Sequence, residues 1–432
     1  MINEMIKDSK QHILKGRRLY IPRMSTEAAS ALAAAFRSVG VDACISPESD
    51  ARTLDLASRF TNGEECLPQR VTLGNFLKIV QGLNFDPRST AFFLPTSSGP
   101  CRFGQYRNLL RKVLDEAGAQ EARIFSPTSS NGYAGIADRR FRFLVTVWRA
   151  LILSDSLRKA RLMIRPYEAE KGLTDSLHNR FLGKACRVLG DPDIGFRRQR
   201  RECVKILQSA AEAFESIPLK EKLGSRPLIG VVGEIYLRFN EFSNQHMLRS
   251  IENQGGEVWI ANIAEWAWYT NYEEERKLRE AAGIVTFEMA RVRLRRYIQE
   301  TEEKALTRPL RKFFRSRPET PVPRLLEYSR PYLPAHKALG EMTLNAGNAV
   351  AFYHAGCDGV VDISPFTCMN GIVSEVVYPR ISRDHEQFPI RIFYFDGVPF
   401  DLTGHLEIFM EQAGSYRRRR LEKSRRGSRS GQ

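Results

Sequence analysis

Cys66, Cys101 and Cys368 stand in three turns of one kind. Cys66 lies in Glu64-Glu65-Cys66-Leu67-Pro68. Cys101 lies in Ser98-Gly99-Pro100-Cys101-Arg102-Phe103-Gly104-Gln105-Tyr106, and Cys368 in Pro365-Phe366-Thr367-Cys368-Met369-Asn370-Gly371. A helix is predicted to open at or just after each of them. Free backbone N–H groups and the positive end of a helix dipole favour a thiolate there. The same groups can donate hydrogen bonds to the sulfurs of a bound cluster and tune its potential. Three soft ligands from three turns can therefore hold a metal centre with one open position. The plainer reading is that each cysteine is a small buried apolar residue. Their spacings of 35 and 267 residues match no compact zinc or ferredoxin pattern, and C-x-x-C is absent.

The remaining cysteines read differently. Cys44 falls inside a strand, and Cys186 and Cys203 fall in helical sequence, where all three pack. Cys357 is ambiguous because it precedes the strand that leads to Cys368. Arg102 has two readings: charge for a reduced cluster or a CoA phosphate, and a surface salt bridge. Glu64 and Glu65 suit backbone hydrogen bonding, acid–base work or a helix start. Ile229-Gly230-Val231-Val232-Gly233-Glu234 only faintly resembles a phosphate-binding turn, and a tight β–α turn is its ordinary meaning. Asn240, Ser243 and Asn244 read as helix caps. His246, His354 and His385 are scattered, and no histidine is assigned as a ligand. No G-x-S-x-G or Walker sequence occurs, so neither a serine hydrolase nor a P-loop ATPase is supported, and no catalytic residue is assigned.

The elements that must position these turns are those of α/β protein. In a first α/β domain, residues 15–140, strands are predicted at 18–24, 41–46, 90–95 and 122–127. Between them lie helices at 25–39, 71–81 and 102–118. Pro95-Thr96-Ser97-Ser98-Gly99 and Pro127-Thr128-Ser129-Ser130-Asn131-Gly132 echo each other as polar turns leaving strand ends, the edge where ligands gather in open α/β sheets. Residues 141–222 are amphipathic and helical, and Arg197, Arg198, Arg200 and Arg201 read as a solvated helix face. A second α/β domain, residues 223–410, has strands at 228–233, 257–261, 359–365 and 391–396. It has helices at 241–254 and 372–378, a charged helical insertion at about 266–317 and a last helix from about 402 to the tail. The expected fold class is two Rossmann-like parallel-sheet domains with a helical linker and insertion, and the cluster site between the domains.

Composition bounds the rest. The chain has 432 residues, 42% hydrophobic and 27% charged, which suits a large globular core rather than a disordered or disulfide-stapled chain. The formal net charge of +16 is uneven: Arg417 to Arg420, Lys423, Arg425, Arg426 and Arg429 against one acid, Glu422, put +7 of it in the last 17 residues. Residues 416–432 therefore read as a basic disordered tail. The most apolar stretch, 141–153, is broken by Arg142 and Arg149 and falls short of the ~20 residues a membrane span needs. The first sixteen residues lack the apolar run of a signal peptide. A cytoplasmic protein with reduced cysteines and no membrane partner is expected.

The quoted motifs also carry a resemblance. Glu64 to Pro68, Gly99 to Tyr106 (GPCRFGQY) and Gly359 to Met369 (GVVDISPFTCM) resemble the iron–sulfur components of the 2-hydroxyacyl-CoA dehydratase and benzoyl-CoA reductase superfamily. Within it the chain is most similar to the acyl-CoA dehydratase activase-related proteins, which include double-cubane cluster proteins. Arg165-Pro166-Tyr167-Glu168, Gly233 to Asn240 (GEIYLRFN), and Gly256 to Trp259 with Glu265-Trp266 support it. The resemblance implies clusters held by cysteine between Rossmann-like domains, with Cys66, Cys101 and Cys368 as ligands. It implies low-potential electron transfer in an anaerobic setting, as a reductase or dehydratase component. The electron would come from an ATP-hydrolysing activase carrying its own cluster. The residues before the first strand cannot hold an ATPase domain, so that activase is expected as a separate chain. A second copy or a paralogous subunit is the other expected partner. The family often has proline soon after the methionine, where this chain has Asn370 and Gly371. A double-cubane centre would need more thiolates, so a single 4Fe-4S cluster with an open fourth position is expected. Two readings of another class stand beside this one. The first is a non-catalytic α/β scaffold that binds a partner or nucleic acid through its basic tail. The second is a zinc site on the same cysteines.

Overall fold

The structure, a computed structural model, describes residues 14–97, 99–127, 140–282, 286–334 and 340–429. Short runs rich in valine, isoleucine and aromatic residues form eight strands: β1 (Arg18–Ile21), β2 (Ala43–Ile45), β3 (Thr90–Phe93), β4 (Arg123–Phe125), β5 (Leu228–Gly233), β6 (Glu257–Ile260), β7 (Gly359–Pro365) and β8 (Ile390–Phe395). They build two four-stranded sheets, β2-β1-β3-β4 and β6-β5-β7-β8, parallel throughout. The fold is α/β, as the sequence predicts. Both sheets are wound in the same order. Strands β3, β6 and β7 are buried along their whole length, as expected when helices cover both faces of a parallel sheet.

The chain divides into two compact units. Unit one comprises Met1–Ser154, Arg180–Leu207 and Glu302–Thr307; unit two comprises Asp155–Asn179, Gln208–Thr301 and Arg308–Gln432. The helical middle is thus no separate body, and its helices α5 (Arg140–Ile164), α6 (Leu173–Gly190) and α7 (Phe196–Glu215) are apportioned between the units.

In unit one, α1 (Thr26–Arg37) starts on Ser25, whose side chain accepts from Ala28 N–H. Helix α2 (Ala51–Ser58) opens with a reciprocal box between Asp50 and Thr53. Helix α3 (Leu67–Val80) starts at Cys66. A one-turn 3-10 helix, Arg102–Gln105, leads into α4 (Tyr106–Glu116). Phe36, Phe93, Phe125 and Phe143 pack one face of the sheet, and Phe76, Phe92 and Leu110 the other. Arg149 is fully buried and forms a two-pronged pair with Glu302, and Gln199 Oε1 accepts from Arg149 Nη1 at 2.8 Å. Arg197, Arg198 and Arg201 on α7 are exposed, as read, while Arg200 leans toward Glu302 at 3.6 Å.

Unit two departs more from expectation. The helix expected at 241–254 is shorter. A five-residue helix α8 (Ile235–Phe239) comes first, then a turn held by Asn240, then α9 (Met247–Asn253). Asn240 Oδ1 accepts from both the N–H and the hydroxyl of Ser243, which ends one helix before the next begins. The charged insertion is a helical pair, α10 (Ile263–Ala282) and α11 (Phe287–Thr307). Two further helices, α12 (Val322–Ser329) and α13 (Glu341–His354), precede β7. Helix α14 (Met369–Asp384) follows β7. The basic tail, expected to be disordered from residue 416, instead continues α15 (Leu402–Arg429). Leu406, Phe409, Ala413 and Tyr416 are buried along one side of it, and Arg417 and Arg420 both pair with Asp358, which is fully buried. Among the described residues no helix is long and apolar enough to cross a membrane.

Candidate functional site

Each of the three turns singled out from the sequence ends in a helix N-cap. Cys66 caps α3 and Cys101 caps the 3-10 turn before α4. Cys368 caps α14. Cys101 and Cys368 lie beyond the carboxyl ends of β3 and β7, where strand order reverses and open α/β folds bind ligands, and the bond of Cys66 to Tyr106 ties it to the first of these edges. Cys44, Cys186 and Cys203 fall in the strand and helices the sequence gives them. Cys44 is in β2, Cys186 in α6 and Cys203 in α7, while Cys357 is buried in the core of unit two. Burial pushes the Cys203 thiol up to about 12 and the Cys357 thiol up as well.

In unit one the structure ties the two cysteine turns together. Arg102 Nη1 donates to the Glu64 carbonyl oxygen at 2.7 Å. The Tyr106 hydroxyl and Cys66 Sγ share a hydrogen bond, and the Phe103 ring meets Tyr106 edge-on. Cys101 Sγ accepts from Phe103 N–H at 3.5 Å. The motif from Gly99 to Tyr106 thus supplies both the Cys101 turn and a hydroxyl for the sulfur of Cys66. The Arg102 guanidinium thus joins the Cys101 turn to the backbone of the Cys66 turn. Glu65 accepts from the N–H groups of Asn62 and Gly63, the backbone reading. Thr96 N–H donates to Pro127 O at 3.3 Å, so the second residue of one echoing turn pairs with the first of the other, while residues 128–132 lie outside the described residues.

In unit two Cys368 follows β7 directly. Thr367, the residue before it, has φ +65, a left-handed conformation rarely adopted by a β-branched side chain. Such a conformation costs about 1–3 kcal/mol and persists only where its surroundings hold it. Unit two also holds a set of buried carboxyls that sequence reading did not find, of which Glu234 and Glu341 act on Cys368 by charge. Asp362 accepts from Ser364 Oγ at 2.6 Å and from the Tyr378 hydroxyl. Glu234 caps α8 by accepting from Leu237 N–H, and Glu341 accepts from Ile235 N–H at 2.8 Å. Glu265 takes both its hydrogen bonds from Asn348 Nδ2. The strand end that admits this packing is Gly233. At φ +116, a Cβ there would sit 2.2 Å from the Ile363 carbonyl oxygen. The glycine serves a tight β–α turn, in line with its ordinary reading.

Burial sets the protonation of these carboxyls. It pushes the Glu341 carboxyl up to about 8, with Glu234 adding to the effect, Glu265 up to about 7 and Asp362 up to about 6. Burial also pushes the Cys368 thiol up to about 12, opposed by the backbone N–H of Gly371 and reinforced by Glu234 and Glu341. At Cys368 desolvation thus works against the thiolate that a helix start favours.

The two units place these groups at matching stations. Cys101 and Cys368 each follow the third strand of their sheet. Cys66 opens the helix that leads into the third strand of sheet one, and Gly340 and Glu341 open the corresponding helix in unit two.

Thiolates are the donors that iron–sulfur clusters and zinc take, so the three cysteines suit such a group in kind. Unit one holds Cys66 and Cys101, and unit two holds Cys368. Among the described residues, no three histidine, cysteine, aspartate or glutamate side chains form a group able to hold a metal ion. No family model matches the chain, and no curated protein matches it.

Proposed function

We propose that the chain is an iron–sulfur protein, a low-potential electron-transfer or reductase component of the kind found in 2-hydroxyacyl-CoA dehydratase systems. Cys66, Cys101 and Cys368 are the thiolates that would hold a 4Fe-4S cluster. The observation that carries this reading is selective: these three cysteines cap helices at, or tied to, sheet carboxyl edges, and the other four lie within a strand, within helices or in the core. Such a cluster supplies one-electron chemistry at potentials down to about −700 mV. The electron would come from a separate ATP-hydrolysing partner. The chain's own residues would do the remaining work. The Tyr106 hydroxyl would donate to the Cys66 sulfur, and the N–H of Phe103 to the Cys101 sulfur. The N–H groups of Asn370 and Gly371 would serve the Cys368 sulfur, which must lose its proton before it binds iron.

The test is anaerobic reconstitution of the full chain with iron and sulfide, followed by iron counting and electron paramagnetic resonance. About four irons per chain are expected, with loss on Cys66→Ser, Cys101→Ser or Cys368→Ser and none on Cys186→Ser. Colourless protein with one tightly held zinc, or iron content indifferent to Cys101→Ser, overturns the proposal.

A further inference from the structure

Helix α11 of the charged insertion has two apolar sides. Met289 and Val292 are buried on one of them. On the other, Phe287 is 80% exposed, Leu294 60% and Tyr297 68%, with Ala290 exposed between them. The positions 287, 290, 294 and 297 advance by three, four and three residues, the spacing of a coiled-coil seam. A helix held only by its inner face has no folding reason to repeat an apolar stripe on its outer one, and contiguous exposed apolar surface marks interaction sites.

Charge identifies the occupant. Arg291 and Arg293 flank the seam, are exposed, and form no ion pair among the described residues. Arg295 and Arg296 are engaged with Glu274 and Glu275 of α10. The flanking positions of such a seam choose the partner by opposite charge. A second copy packed antiparallel about the middle of the seam would set these arginines against their own counterparts, where like charges repel. We infer that the outer stripe of α11 is a docking surface for an amphipathic helix of a partner protein, apolar along one stripe and carboxylate-bearing beside it.

The probe is a pair of synthetic three-heptad helical peptides with leucine at the seam positions. One has glutamate and the other lysine at the flanking positions. Binding to the full chain is measured by fluorescence anisotropy. The glutamate peptide is expected to bind at least about tenfold more tightly than the lysine peptide, with the difference shrinking as salt is raised. Leu294→Asp is expected to abolish binding, and the double change Arg291→Glu with Arg293→Glu to invert the preference while leaving circular dichroism unchanged. Equal binding of both peptides, binding retained in Leu294→Asp, or concentration-dependent dimerisation that Leu294→Asp removes each overturns the proposal.

Discussion

Arg102 and Glu64 join the two cysteine turns of unit one: the guanidinium of the first donates to the backbone carbonyl of the second at 2.7 Å. The bond spans 38 residues of sequence and fixes the Cys66 turn against the 3-10 turn that carries Cys101. Arg102→Ala should free the Cys66 turn. Cys66 is half-buried and Cys101 exposed, so native alkylation should label Cys101 first. In the variant, Cys66 labelling should accelerate about tenfold, as expected when local opening becomes easier by about 1.4 kcal/mol. Peptide mass spectrometry over time reads this directly. An unchanged Cys66 rate would mean that the arginine holds nothing.

Thr367 is held in a left-handed conformation one residue before Cys368. Glycine accepts that conformation without a Cβ penalty. Thr367→Gly should therefore leave stability unchanged or raise it by about 1 kcal/mol, where the same change in an ordinary strand would destabilise. Urea denaturation measures the difference. A loss of more than about 2 kcal/mol would show that the threonine side chain, and not its backbone, matters there.

Glu265 gives stability a pH dependence of unusual sign. Its carboxyl is pushed by burial from 4.5 to about 7 in the folded chain. Between those values the folded state binds more protons than the unfolded one, so stability falls as pH rises. The loss from this group alone is on the order of 3 kcal/mol and is complete just above pH 7. Glu341 and Asp362, raised to about 8 and about 6, bend the curve the same way. Glu265→Gln should flatten the decline between pH 5 and 7, measured by thermal melts across that range. A wild-type melting temperature that climbs over the same interval contradicts this account.

Asp358 is fully buried and pairs with Arg417 and Arg420 of the basic end. Its other oxygen contact is the N–H of Leu228, at 2.9 Å. Replacing both arginines by alanine leaves a buried carboxylate without its cations, at a cost of about 2–3 kcal/mol after allowing for the partial exposure of the arginines. Denaturant midpoints should drop accordingly. Arg418→Ala should change little, because among the described residues its guanidinium bonds only Glu411 and Ser415 at the surface.

The sequence was legible where local chemistry and fold agree. Runs such as Leu228 to Gly233 and Gly359 to Pro365 are apolar, short and ended by glycine or proline, so their strands could be read directly. The cysteine turns were legible because polar residues and proline interrupt the pattern just before a helical one resumes. Helix α13 was not, because residues from Glu341 to Phe352 are all buried and no polar face betrays a period. The basic end misled for the opposite reason. A last helix from about Leu402 is legible in the spacing of Leu406, Phe409 and Ala413, but the charge density after Tyr416 reads as a disordered tail, and Asp358, which fixes two of its arginines, lies far away in sequence. The buried carboxyls of Glu234, Glu265, Glu341 and Asp362 come from four separate elements, and no window of sequence contains them.

The matched winding of the two sheets gives each unit the same backbone frame around its third strand, with Cys101 beyond one and Cys368 beyond the other. The frames differ at the start of the helix that leads into that strand, which carries a sulfur at Cys66 in one unit and a carboxylate at Glu341 in the other. One scaffold thus offers a soft donor at that position in one half and a hard one in the other.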